Sequence, residues 1–94
     1  MNNPKLVEDG FYEDCLELSR TKHQSKDFRI ALVSRGGQQG LDIRKFKADG
    51  RPANGVLLDS NQVKILIELV QDSELLSKFV ENGTINFNDY KEEN

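Results

Sequence analysis

Residues 28–47 read FRIALVSRGGQQGLDIRKFK, two runs of alternating side chains joined by a glycine-rich centre. In the first run Phe28, Ile30 and Leu32 fall on one side of an extended chain, and Arg29, Ala31, Val33 and Arg35 on the other. Side chains of a strand alternate with a period of two, so apolar residues on both sides predict a sheet with both faces in use. In the second run Leu41, Ile43 and Lys45 share one side, with Asp42, Arg44 and Phe46 opposite. Between them Gly36-Gly37-Gln38-Gln39-Gly40 predicts a hairpin loop, because glycine accepts the positive φ that tight turns need.

Towards the N-terminus, residues 11–21 (FYEDCLELSRT) fit two periods. Leu16 and Leu18 alternate with Cys15, Glu17 and Ser19 as in a strand, whereas Phe11, Cys15 and Leu18 fall at helical spacing. The runs that follow favour the strand. Lys22–Asp27 is polar and predicts a turn. Residues 1–10, with Asn2, Asn3, Pro4 and Gly10, are expected to form a flexible arm.

Towards the C-terminus, Ala48–Pro52 predicts a turn and Asn54–Leu58 a short fourth strand. Asp59 then predicts a helix N-cap, with Gln62 at the reciprocal position of a capping box. Val63, Leu66, Ile67 and Val70 are the expected core stripe of this helix. Ile65 and Leu69 widen it beyond what one sheet face covers, a surplus that points to a subunit contact. Ser73 is placed to cap a second short helix running through Phe79 and Val80 and ending near Gly83. Thr84–Asn94 is left between a docked strand and no ordered structure. The expected domain is therefore α+β over residues 11–72, four antiparallel strands and then a helix, with a short helix and acidic tail over 73–94.

The net charge is −3, which ordinarily argues against a nucleic-acid binder. The charge is segregated, however. Between Arg20 and Arg51 lie nine basic and three acidic residues, a local +6, while the remainder carries four basic and 13 acidic residues, or −9. Salt screens charges beyond about 10 Å, so a polyanion responds to the surface it approaches rather than to the total.

Catalytic chemistry is not evident. His23, the only histidine, sits in a polar stretch, and no pattern places it beside Cys15. Gly36, Gly37 and Gly40 lack the Lys-Ser/Thr ending and following helix of a phosphate-binding loop. One cysteine allows no intramolecular disulfide and no cysteine zinc cluster. The expectation is a non-enzymatic protein with no cofactor or metal. With no apolar run long enough to span a bilayer, it is expected in the cytoplasm, or in the nucleus of a eukaryote.

Over residues 28–70 the order of these elements resembles the family of the transcriptional coactivator positive cofactor four, nearer its short bacterial and phage-type members. The matching features are Asp42-Ile43-Arg44-Lys45-Phe46, Gly50-Arg51-Pro52, Gly55-Val56-Leu57-Leu58, and the cap formed by Asp59 and Gln62. The resemblance implies a strongly curved four-stranded antiparallel sheet, a following helix, a two-fold homodimer and single-stranded DNA carried along basic, partly aromatic strand faces. Arg44 matches the DNA-contacting arginine of the family, and Arg29 a basic position on the preceding strand. Arg51 falls at a loop lysine, and Arg35 corresponds if the hairpin differs by one residue. Lys47 stands where the family has an aromatic, Ala53-Asn54 replaces a basic pair, and Gly36, Gly37 and Gln38 replace basic hairpin residues. These departures lower the expected affinity.

The candidate nucleic-acid-binding residues are thus Arg29, Arg35, Arg44, Phe46, Lys47 and Arg51. Arginines hold phosphates by ion pairing while an aromatic stacks a base, at about 1–3 kcal/mol per base and with little sequence preference. Phe46 is equally readable as core, and Asp42 offers Arg44 a structural ion pair. The expected partner is single-stranded DNA, with RNA left open, in transcription regulation, replication or repair alongside the proteins of those processes. The competing expectation is a dimeric protein-interaction module of the same fold with weak or lost DNA binding.

Overall fold

The computed structural model describes residues 3–21 and 27–91. Asn2, most of the expected turn from Lys22, including His23 and Lys26, and the last three residues of the acidic tail lie outside the described residues. The chain divides into two units, Met1–Val63 and Lys64–Asn94.

The first unit is an antiparallel meander of five strands: β1 (Lys5–Leu6), β2 (Asp14–Thr21), β3 (Asp27–Arg35), β4 (Gln38–Phe46) and β5 (Pro52–Leu58), paired in chain order. The α+β class and antiparallel sheet agree with the sequence, but the sheet has one strand more than expected. The extra strand lies inside the supposed arm, where Lys5 pairs with Glu17 and Leu6 with Leu16. The hairpin is also tighter than its five-residue loop suggested. Gly36 (φ 61°) and Gly37 (φ 82°) alone make the turn, with positive φ at both central positions as a type I′ turn requires. Gly40 lies within β4, opposite Val33. A Cβ there would come within 2.9 Å of both Leu57 Cδ1 and the Leu58 carbonyl oxygen, so close strand packing explains this glycine rather than the turn.

Register assigns the two faces. On one, Leu6, Leu16, Leu32, Leu41 and Leu58 form a row across all five strands. On the other, Arg20, Arg29 and Arg44 stand side by side on β2, β3 and β4. A bulge between Glu17 and Ser19 makes this possible: skipping one residue puts Arg20, instead of Ser19, on the face that holds Cys15 and Glu17. The buried cluster sits on this second face. It comprises Tyr12, Cys15, Ala31 and Val33, with Val7 packed against it. Val7 and Tyr12 therefore bring the segment between β1 and β2 into the core. The Val7 N–H donates to the Cys15 carbonyl at 2.9 Å, fixing the segment to β2.

Helix α1 (Ser60–Asp72) opens with the expected capping box. The Gln62 N–H donates to Asp59 Oδ1 at 2.8 Å, and the Asp59 N–H donates to Gln62 Oε1 at 2.9 Å. Leu66, Ile67 and Val70 are exposed, as are Ile65 and Leu69, in the range 38–64%. In the second unit α2 (Glu74–Asn82) begins at the Ser73 cap and ends at Gly83 in the left-handed conformation, as its sequence indicates. Among the described residues of the following segment there is no strand, and Phe87–Tyr90 is a 3-10 turn capped by Asn86.

Candidate nucleic-acid interface

Three arginines abreast repel one another unless counter-charges intervene. Here four carboxylates do so. Asp42 is the centre of the network, with 0% exposure. Arg29 Nη2 donates to Asp42 Oδ2 at 3.0 Å, while Arg44 donates through Nε to Oδ2 at 3.1 Å and through Nη2 to Oδ1 at 3.0 Å. Tyr12 adds a hydroxyl donor to Oδ1 at 3.3 Å. Arg29 reaches Asp9 Oδ2 with its other terminal nitrogen at 3.2 Å. Arg20 pairs with Asp27 at 3.1 Å and with Glu17 at 3.8 Å. The row that looked like a basic groove in the sequence is neutralised from within.

The titration shifts follow from this geometry. Burial pushes the Asp42 carboxyl up, but the hydrogen bonds and charges of Arg44 and Arg29 outweigh it and hold the group below the usual carboxylate range. At Asp9 burial again acts upward and is overcome by the Phe11 and Tyr12 N–H groups and by Arg29, so this carboxyl too is held low. Burial pushes the Cys15 thiol and the Tyr12 hydroxyl up, the latter with help from the Asp42 charge.

The six candidates consequently separate. Arg29, at 3% exposure, is an interior ion-pair partner with no surface to offer a phosphate. Arg44 is partly exposed but has its donors on Asp42 and on the Ala53 carbonyl at 3.2 Å. Phe46 is half-buried under two guanidinium groups, Arg20 at 4.4 Å and Arg29 at 5.1 Å from the ring centroid, which occupy surface a base would need. Arg51 is exposed and paired with Asp49 at 2.7 Å across the turn before β5. Lys47 is exposed and, among the described residues, has no ion-pair partner.

Arg35 has the most suitable surroundings. Its guanidinium carbon lies 3.9 Å from the centroid of the Phe11 ring, and it makes no ion pair among the described residues. Phe11 is 58% exposed and stands edge-on to Tyr12, with ring centroids 5.1 Å apart. Arg35 and Phe11 border an open groove of about 650 Å³, whose lining includes Val33, Leu57, Gln38 and Gln39. A cation, an aromatic ring and amides around an apolar floor can take an unstacked base with a phosphate beside Arg35, and the Asp59 carboxylate in the same lining restricts the phosphate to the arginine.

Phe11 and Asp9 were not among the candidates from the sequence. The available signal was Asp9-Gly10, a turn dipeptide, immediately before two aromatics. Among the described residues no helix is long and apolar enough to cross a membrane, and no group of three or more His, Cys, Asp or Glu could hold a metal ion. Comparison with family models, with curated proteins and with solved structures gives no match.

Proposed function

We propose that this chain is a non-catalytic protein that binds single-stranded nucleic acid with little sequence preference, through the groove beside Arg35 and Phe11. The observation that carries this reading is the exposed Arg35 guanidinium stacked on the exposed Phe11 ring, with no carboxylate paired to it among the described residues. The resemblance over residues 28–70 supports single-stranded DNA as the partner, with RNA left open, while the neutralised arginine row argues for modest affinity. The binding surface is thus smaller than the basic block. Each phosphate contact contributes about −0.7 to the log–log salt slope, and stacking contributes about 1–3 kcal/mol per base.

The test is fluorescence anisotropy with a labelled mixed-sequence single strand, titrated at low and high salt. Binding should weaken steeply with salt, and Arg35→Ala should reduce both affinity and slope. No binding at low salt, or an Arg35→Ala protein indistinguishable from the parent, refutes the reading.

A second reading is favoured by a different observation. The apolar residues of α1 and the leucine row, with Leu6 and Leu32 exposed, form surfaces a lone soluble chain rarely leaves uncovered. They fit a two-fold dimer that acts as a protein-interaction module, with nucleic-acid binding weak or lost. Sedimentation tests it: a chain that stays monomeric at micromolar concentration, or is unaffected by Ile65→Glu with Leu69→Glu, removes the dimer.

A further inference from the structure

The exposed ring of Phe11 belongs to a segment that is anchored on both sides. On the N-terminal side the Val7 N–H fixes the chain to β2, and one carboxylate holds the turn itself. Asp9 Oδ1 accepts from the Phe11 N–H at 2.8 Å and from the Tyr12 N–H at 3.2 Å, closing the turn that presents the ring. Asp9 Oδ2 accepts from the buried Arg29 at 3.2 Å. On the C-terminal side the Glu13 N–H donates to the Ser34 carbonyl at 2.9 Å, and Glu13 Oε1 accepts from the Gly36 N–H at 2.9 Å. Tyr12 is buried between these anchors.

A surface aromatic held this way loses little rotational freedom when a base stacks on it, so more of the stacking energy appears as affinity. Two groups tie the turn to the buried arginine network, the Tyr12 hydroxyl on Asp42 and Asp9 on Arg29, and of these Asp9 also holds the Phe11 N–H: Arg29 is fixed by Asp42, and Asp9 passes that fixed position to the Phe11 backbone. Arg29, buried and out of reach of a phosphate, contributes in this way to a surface it does not touch.

The geometry points to Asp9 as a positioning residue, a clasp that uses the interior Arg29–Asp42 pair to hold Phe11 against Arg35 for a single-stranded ligand. This rests on the single-strand reading, and its test is arranged so that the two fail separately. The first measurement is anisotropy with a labelled oligothymidine for the parent, Asp9→Ala, Phe11→Ala and the double variant. Asp9→Ala should weaken binding by roughly fivefold, the low end of the contribution of one stacked base, with the salt slope unchanged because no phosphate contact is removed. The double variant should bind no worse than Phe11→Ala alone, since Asp9 acts through the ring. Asp9→Asn, which keeps the Oδ1 acceptor of the turn, should recover part of the loss.

The second measurement needs no ligand. In the parent, ring current from Phe11 should move the Arg35 side-chain protons upfield of an exposed arginine, and Asp9→Ala should return them towards it. Losses that multiply in the double variant, or an Arg35 shift unaltered by Asp9→Ala in a folded protein, overturn the clasp. A parent that ignores the oligonucleotide while the Arg35 shift responds as described retires the single-strand reading and supports the positioning of the ring.

Discussion

Replacing Asp42 with asparagine changes one atom and removes the charge on which the interior arginines depend. In Asp42→Asn the buried Arg29 keeps only Asp9, at 3.2 Å, and Arg44 keeps only the Ala53 carbonyl. The asparagine oxygen can accept from one guanidinium, but its NH₂ group faces donors that also need acceptors. Breaking a buried pair by removing one partner costs about 3–5 kcal/mol, most of it the uncompensated charge left behind. A chain of 94 residues has a total stability of about 5–14 kcal/mol at ordinary values per residue. The core here is small, five buried apolar residues among those described, with Val7 packed against four of them, and favours the lower half of that range. The substitution therefore removes most of the folding free energy. In urea, followed by circular dichroism, a slope of about 1.2 kcal/mol per molar converts the loss to a midpoint lowered by roughly 3 M. The matched control is Asp49→Asn, which breaks the exposed pair with Arg51 and should change stability by less than about 1 kcal/mol. If Asp42→Asn lowers the midpoint by no more than Asp49→Asn does, the network is not what holds this face together, and the account of Arg29 as an interior residue fails with it.

Acid should destabilise the fold through the same carboxylates. Asp9 and Asp42 have folded-state pKa values below their unfolded ones, so their contribution is fully present above the unfolded carboxylate range, near pH 4, and is lost as pH falls through the lower folded values. Melting temperature should drop from pH 5 to pH 2, and more shallowly in Asp9→Asn; an equal slope in parent and variant contradicts the shift at Asp9. Gly40→Ala places a Cβ 2.9 Å from the Leu58 carbonyl oxygen and should cost about 1–3 kcal/mol by overpacking, measured by thermal melting against Gly37→Asn, which suits a turn position with positive φ. Cys15, at 1% exposure and with its thiol pushed up, should react with a disulfide reagent only in urea; rapid labelling of the native protein excludes the buried placement.

The alternation over residues 28–47 was enough to read two neighbouring strands and the faces within each, because a two-residue period fixes which side chains share a side. The pairing between them was not legible, since the turn is Gly36-Gly37 rather than a five-residue loop, and it is this turn that sets Arg29 opposite Arg44 and Ala31 opposite Asp42. The Asp59–Gln62 box and the Ser73 and Gly83 caps were legible for a similar reason, since each depends on side chains within four positions. What escaped depends on contacts far apart in the chain. Asp9 lies 20 residues from Arg29, and Tyr12 lies 30 from Asp42, so no local pattern marks Val7 and Tyr12 as core or Asp9 as part of the network. The bulge after Glu17 likewise leaves no sign in the alternation of Leu16 and Leu18, yet it decides that Arg20 joins the arginine row. Counting charges along the block found the arginines correctly and misjudged their availability, because two of their acceptors, Asp9 and Glu17, come from outside it.

The meander order has a consequence for how the chain reaches this state. Every strand pairs with its neighbour in sequence, and the tightest closure is the two-glycine turn between β3 and β4. Short closures form early, since the entropy lost grows with the length of chain they enclose. Arg29, Asp42 and Arg44 all lie on that hairpin, so they meet while water still surrounds them. Residues 7–12, drawn in later from the far side of β2, close over a pair that has already formed. In that order the charges are desolvated as a pair, and stopped-flow kinetics should show substitutions of Gly36 and Gly37 slowing folding more than they speed unfolding.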